Sequence, residues 1–187
     1  MTEFLSVLGG VPSVWSITKA AGLTSYVLLF LAIMAGMLQS FPSVNPKNKE
    51  FLHLVHQFSG WFGLLFGLLH GLVLVSDPDT QFSLTEIFVP FASNNDTILV
   101  SLGIISFYIL FFIMLSSDVV KILGKKFWRA IHFLSFPAYV LALLHGVILG
   151  SDAQNSGIPW LYMITGASVA GLFVLRMSKS AKKVSTA

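Results

Sequence analysis

The sequence predicts an all-α integral membrane protein: about five transmembrane helices plus one interfacial helix, forming a single domain over residues 1–187. Three observations carry this. Of the 187 residues 55% are hydrophobic and only 10% are charged, and the mean hydropathy is +0.83, outside the balance of a soluble domain. Five apolar windows, roughly 21–40, 55–76, 97–117, 128–150 and 158–176, are each long enough to cross a hydrocarbon core of about 30 Å at about 1.5 Å per residue. Finally, the charges segregate. Lys47, Lys49, Lys121, Lys125, Lys126, Arg129, Arg176, Lys179, Lys182 and Lys183 fall on one side of a five-span arrangement, whereas the opposite loops hold Asp77, Asp79, Glu86, Asp96 and Asp152 with no Lys or Arg.

By the positive-inside rule that segregation predicts an outer N-terminus and a cytoplasmic C-terminus; the membrane itself is expected to be a bacterial inner or plasma membrane. The sequence pI of about 9.3 is therefore a topology signal, with anionic lipid as a secondary partner, and calls for no nucleic acid. The first twenty residues lack a basic start, carry Glu3 and are broken by Gly9, Gly10 and Pro12, so an interfacial lead-in is expected and a cleaved signal peptide is not. Span one pairs small residues at Ala32 and Gly36, a device for close helix contact, and is assigned packing. Span five repeats the device at Gly166 and Ala170, and at Ala167 and Gly171. Between spans two and three, the loop "DPDTQFSLTEIFVPFASNND" mixes Phe82, Leu84, Ile87, Phe88 and Phe91 with acids, which predicts a half-buried interfacial helix ending near Pro90.

The chemistry concentrates in spans two and four. Cysteine is absent, which removes thiolate ligation and covalent c-type haem attachment. Span two, "HLVHQFSGWFGLLFGLLHG", carries His53, His56 and His70. With His56 at zero on a helical wheel, Gly60, Gly63, Gly67, His70 and Gly71 fall at about +40°, −20°, +20°, −40° and +60°. Four glycines on the histidine stripe leave room for something bulky against the backbone, either another helix or a flat macrocycle. Span four, "WRAIHFLSFPAYVLALLHG", carries His132 and His145 thirteen residues apart, against fourteen for His56 and His70. On a straight helix His145 would sit about 140° away from His132. Ser135, Ala138, Ala142 and Gly146 occupy the sector between them, and Pro137 permits a kink.

Both histidine spans run in the same direction, so His56 pairs in depth with His132 and His70 with His145, about 20 Å apart along the axis. Bis-imidazole pairs at two depths suit two low-spin b haems, with the four histidines as axial ligands to iron and Gly60, Gly63 and Gly67 lining the macrocycle. Zinc fits poorly, since each depth offers two imidazoles. A lone intramembrane histidine has two other readings, packing and proton relay. His53, at the cytoplasmic boundary, is expected to face solvent or a haem propionate, and Met114 to pack in the core. Arg129, three residues before His132, is either one more positive-inside residue or a bidentate clamp on a propionate of the cytoplasmic haem.

The stretches "TKAAGLTSYVLLFLAIMAG", "HQFSGWFGLLFGLLHG", "VPFAS", "SLGIISFYILFFIMLSS" and "KKFWRAIHFLSFPAYVLALLHG" together resemble the ferric-reductase-like transmembrane domain over about residues 18–150. That superfamily takes in eukaryotic ferric reductases, NADPH oxidases and the bacterial haem-binding membrane subunit of the methionine sulfoxide reductase type. The resemblance implies a bundle carrying two b haems on the same four histidines. Its flavin-bearing members continue into a cytoplasmic nucleotide domain, whereas this chain shows no G-x-G-x-x-G after a strand. Flavin or nicotinamide is accordingly expected only on a separate partner.

Two functions follow from different classes. The first is an oxidoreductase component that passes electrons from a flavoprotein reductase or a quinol to ferric iron, oxygen or a redox protein at the outer face. The second is a non-redox transporter or scaffold whose histidines relay protons or pack.

Overall fold

A computed structural model describes residues 13–77, 80–150 and 157–185. The proposed lead-in before residue 13 and Asp152 lie outside the described residues. Among those described, the chain is all helical: α1 (Val14–Leu38), α2 (Pro46–Leu74), α3 (Leu84–Phe88), α4 (Thr97–Asp118), α5 (Val120–Leu123), α6 (Lys125–Phe133), α7 (Ser135–Leu149) and α8 (Ile158–Ser185). Five stretches are long and apolar enough to cross a membrane: Val14–Leu38, Pro46–Leu74, Thr97–Asp118, Lys125–Leu149 and Ile158–Ser178. Large apolar side chains such as Phe51, Phe58, Leu65, Ile98, Phe112 and Ile164 point outward and stay exposed. A hydrocarbon solvent removes the cost of leaving them there. The chain is an integral membrane protein.

The helix starts lie upstream of the apolar windows because polar caps set them. Ser13 accepts the Ser16 amide at 3.2 Å and opens α1 seven residues before the apolar window. Asn45 accepts the Asn48 amide at 2.8 Å, and Pro46 follows at the first helical turn of α2. A short helix does form in the loop where one was expected to end near Pro90: it is α3. It begins with a capping box in which Ser83 and Glu86 bond reciprocally, and its last residue is Phe88. Those bonds hold the exposed Glu86 carboxyl below the usual carboxylate range, with the Ser83 amide the largest cause. Around α3 the backbone is strained at three non-glycine residues with positive φ: Gln81 at 48°, Phe91 at 66° and Asp96 at 43°. Anchors hold the segment in place, since Ser101 Oγ accepts the Phe91 amide at 2.7 Å and Tyr108 donates to the Phe88 carbonyl at 2.7 Å.

α1 packs along α2, and α4 packs along α7; α1 also touches α7 and α8, joining the two hairpins. The fourth span is broken, as Pro137 predicts, but the break falls at Leu134. The residue that a Pro137 amide would have bonded is Phe133, the last residue of α6, and there the chain tightens, Leu134 N donating to Ile131 O at 2.9 Å. In mid-bundle, α1, α7 and α8 meet through hydroxyls. Tyr26 lies 2.9 Å from the Tyr139 hydroxyl and 2.6 Å from that of Thr165, and its ring meets the Tyr162 ring edge-on at 4.8 Å. These buried polar groups satisfy one another where lipid offers no partner.

Candidate functional site

The four intramembrane histidines meet in two pairs. The ring centroids of His56 and His132 are 5.7 Å apart, and those of His70 and His145 are 6.2 Å apart. This is the depth pairing that the spacing predicts. The angular mismatch of His132 and His145 is absorbed by the break at Leu134, so each half of the span aims its own histidine.

Three of the four rings are seated alike, on helices other than their own. His70 Nδ1 bonds the Thr18 carbonyl at 2.9 Å, His56 Nδ1 the Ala32 carbonyl at 2.8 Å, and His145 Nδ1 the Leu99 carbonyl at 2.8 Å. Four residues after each carbonyl stands a glycine: Gly22, Gly36 and Gly103. A Cβ built on these glycines would meet the imidazole at 2.8, 3.0 and 2.9 Å respectively, so each glycine makes the floor on which a ring lies. Because a carbonyl only accepts, Nδ1 carries the proton in all three, and Nε2 keeps its lone pair on the far side of the ring. Metal-binding imidazoles are commonly oriented in this way, with Nδ1–H donating to a carbonyl.

The fourth ring differs. His132 Nδ1 is buried and makes no hydrogen bond. Its neighbour is the Trp128 ring, 4.9 Å away by centroids.

A cavity of about 590 Å³ opens at the His70 and His145 pair. Its walls include Gly22, Gly67, Gly71, Gly103 and Gly146 beside the histidines, with Tyr26 and Tyr162 toward mid-bundle. The strained segment around α3 contributes Thr80, Phe82, Phe88 and Asp96 to the same wall, and half-buried Lys19 lines it from α1.

Three of the four stripe glycines have different neighbours. Gly63 lets α1 approach, with Leu28 Cβ 3.4 Å from an added Cβ and its carbonyl accepting from Ser25 at 2.7 Å. Gly67 borders the cavity next to Ser25 and Phe107, and Gly60 faces the Met114 sulfur at 3.4 Å. Arg129 and His53 are both exposed. No group of three or more His, Cys, Asp or Glu comes together among the described residues. The pairs are therefore two-imidazole sites, short of the ligand number a structural or catalytic zinc takes.

The packing role expected of span one leaves out its histidine seats at Thr18, Gly22, Ala32 and Gly36, and Leu99 and Gly103 in span three form a further seat not expected from sequence. The signal lay in the register: Gly22 and Gly36 are fourteen residues apart, as His56 and His70 are.

Comparison finds no match among curated proteins or solved structures. The family described as Ferric reductase like transmembrane component matches residues 21–143, which takes in His56, His70 and His132 with most of the cavity wall and ends two residues before His145. The chain belongs to that family.

Proposed function

We propose that the chain is a haem b-containing transmembrane electron-transfer protein, an oxidoreductase component that moves electrons between the two faces of the membrane. The observation that carries this reading is the triple seat. Three imidazoles in an apolar bundle are oriented by backbone carbonyls so that Nε2 is left available, and each is paired across the bundle with a second imidazole. A purely packed or proton-relaying histidine needs no partner at this spacing. Two nitrogen–metal bonds of about 2 Å in line would set imidazole centres roughly 6 Å apart, and the observed pairs fit. The glycine-lined cavity at one pair has the size of a ligand pocket.

A haem b held between two imidazoles would supply one-electron transfer without substrate binding at iron. Everything else falls to the chain. His56 with His132 and His70 with His145 would hold the two irons. Thr18, Ala32 and Leu99 fix the tautomers, and Gly22, Gly36 and Gly103 keep the seats open. Tyr26, Tyr139 and Thr165 close the bundle between the levels with mutually satisfied hydroxyls. Arg129, one turn before His132, and the lysines near it suit the propionates of the haem at the basic face, while Lys19 suits those of a haem in the His70 and His145 cavity.

On the charge distribution the basic face is cytoplasmic. A separate flavoprotein reductase or quinol donates there, and ferric iron, oxygen or a redox protein accepts at the outer face. The test is direct: protein purified after haem-replete expression should show a sharp Soret band that shifts on adding dithionite. Colourless, correctly inserted protein would refute the reading in favour of a non-redox transporter or scaffold.

A further inference from the structure

The seats repeat along α1. Thr18 and Gly22 serve His70; fourteen residues on, Ala32 and Gly36 serve His56. Fourteen residues is about four helical turns, so both seats lie on one face. α4 carries the outer half of the same pattern, with Leu99 and Gly103 serving His145. Fourteen residues on, at the level of His132, stand Ile113 and Ser117. Here the floor glycine is replaced by serine. The Ser117 hydroxyl donates to the Ile113 carbonyl at 2.8 Å, Ser116 donates to that carbonyl at 2.8 Å as well, and Trp128 Nε1 donates to Ser117 Oγ at 3.1 Å. The carbonyl that register would give to His132 is thus taken, and His132 is the one histidine of the four whose Nδ1 is buried without a partner.

We propose that Ser117 is a positioning residue that makes the two sites unequal: its side chain closes the fourth seat, leaving the His132 ring held by tilted contacts with Trp128 and His56 and by no hydrogen bond. The inference rests on the haem reading above. An Nδ1–H bond to a carbonyl raises the basicity of the imidazole and stabilises the oxidised metal, and losing such a partner typically costs about 10–100-fold in metal affinity. The His56 and His132 site therefore holds its haem less tightly, and at higher potential, than a fully seated site would.

The test uses full-length protein in a His70→Ala background, so that only the His56 and His132 site is read. Ser117→Gly opens the floor, and the double variant Ser116→Ala with Ser117→Gly also clears the carbonyl. Ser117→Ala removes the hydroxyl but keeps the Cβ. Midpoint potential is measured by spectroelectrochemical titration, haem retention by transfer to excess apomyoglobin, and folding by thermal unfolding of the haem-free protein.

The glycine variants should lower the potential and retain haem on the order of 10-fold longer, with the double variant at least equal to the single. Ser117→Ala should give none of that shift. Equal behaviour of the alanine and glycine variants, or no shift in the double variant with folding intact, overturns the role of Ser117 while leaving the haem reading standing. Absence of haem from the parent protein with all four histidines would sink that reading itself.

Discussion

Gly22→Ala isolates what a seat is worth. An alanine Cβ at this position would lie 2.8 Å from His70 Nδ1 and 3.0 Å from its Cε1. Non-bonded heavy atoms are most comfortable at about 3.5–4.0 Å, so the ring must retreat by roughly 0.7 Å. Retreat by that amount would stretch the bond to the Thr18 carbonyl from 2.9 Å toward about 3.6 Å, where no hydrogen bond remains. The fold itself barely notices. Alanine gains about 0.5–1 kcal/mol over glycine in a helix interior, which offsets the roughly 0.5–1.5 kcal/mol of the lost bond. Cofactor affinity has no such compensation and should fall about 10–100-fold, or roughly 1.4–2.7 kcal/mol. Equilibrium titration of the haem-free protein with haemin reads the affinity, and thermal unfolding in detergent reads the fold. Gly171→Ala is the control, because it lies outside the cavity wall and nothing lies within 4 Å of its added Cβ. A Gly22→Ala protein that binds haemin as the parent does would refute the seat as an orienting device.

Other expectations are simpler to state. A pyridine haemochrome assay should give two b haems per chain, with His70→Ala or His145→Ala removing one and leaving the other; one haem in the parent protein would refute the two-site reading. A reporter fused after Ala187 should be active only as a cytoplasmic fusion, and alkaline phosphatase activity there would invert the assigned orientation. Arg129→Lys keeps the topology charge but loses the bidentate fork, so insertion should be normal while haem at the His56 and His132 site binds more weakly or titrates at lower potential. Lys19→Met should lower the potential of the haem at the other site, since a cation favours the reduced state, and Lys19→Arg should restore it. Glu86 has a depressed folded pKa, so its contribution to the α3 cap is complete above the unfolded carboxylate pKa and fades as pH falls through the folded one. Proteolysis of the segment around α3 should therefore quicken in acid, and a Ser83→Ala protein should lose that pH dependence.

The parts of the site that were readable in sequence were those with a chemical cost. Four histidines in apolar spans demand an explanation, and their spacing alone pairs them as the structure does. The seats were harder to read because they are made of backbone. Thr18, Ala32 and Leu99 act through carbonyls, and side-chain identity does not disclose where a carbonyl points. Gly22, Gly36 and Gly103 act by lacking a side chain, which in a membrane span reads equally well as helix packing. Gly63 does play that packing part, against Leu28 and the α1 backbone. Helix ends also escaped the apolar windows, since Ser13 and Asn45 extend α1 and α2 beyond them through polar caps.

The hydroxyl cluster at mid-bundle bears on the last helix. α8 begins at Ile158, past the end of the family match at 143, and contributes no histidine. Yet Tyr162 lies over the backbone of Gly146, where an added Cβ would meet its hydroxyl at 2.7 Å, and Thr165 supplies the shorter of the two Tyr26 hydroxyl contacts. In a bilayer, where apolar surface gives one helix no preference for another over lipid, such bonds act as an address that selects one rotation and one height for a span. α8 is thereby docked at a single register, like a keystone set after the arch, and it completes the wall beside His145 without contributing a histidine. A chain ending at Gly150 would keep all four histidines and still leave that cavity open to acyl chains on the side Tyr162 now covers.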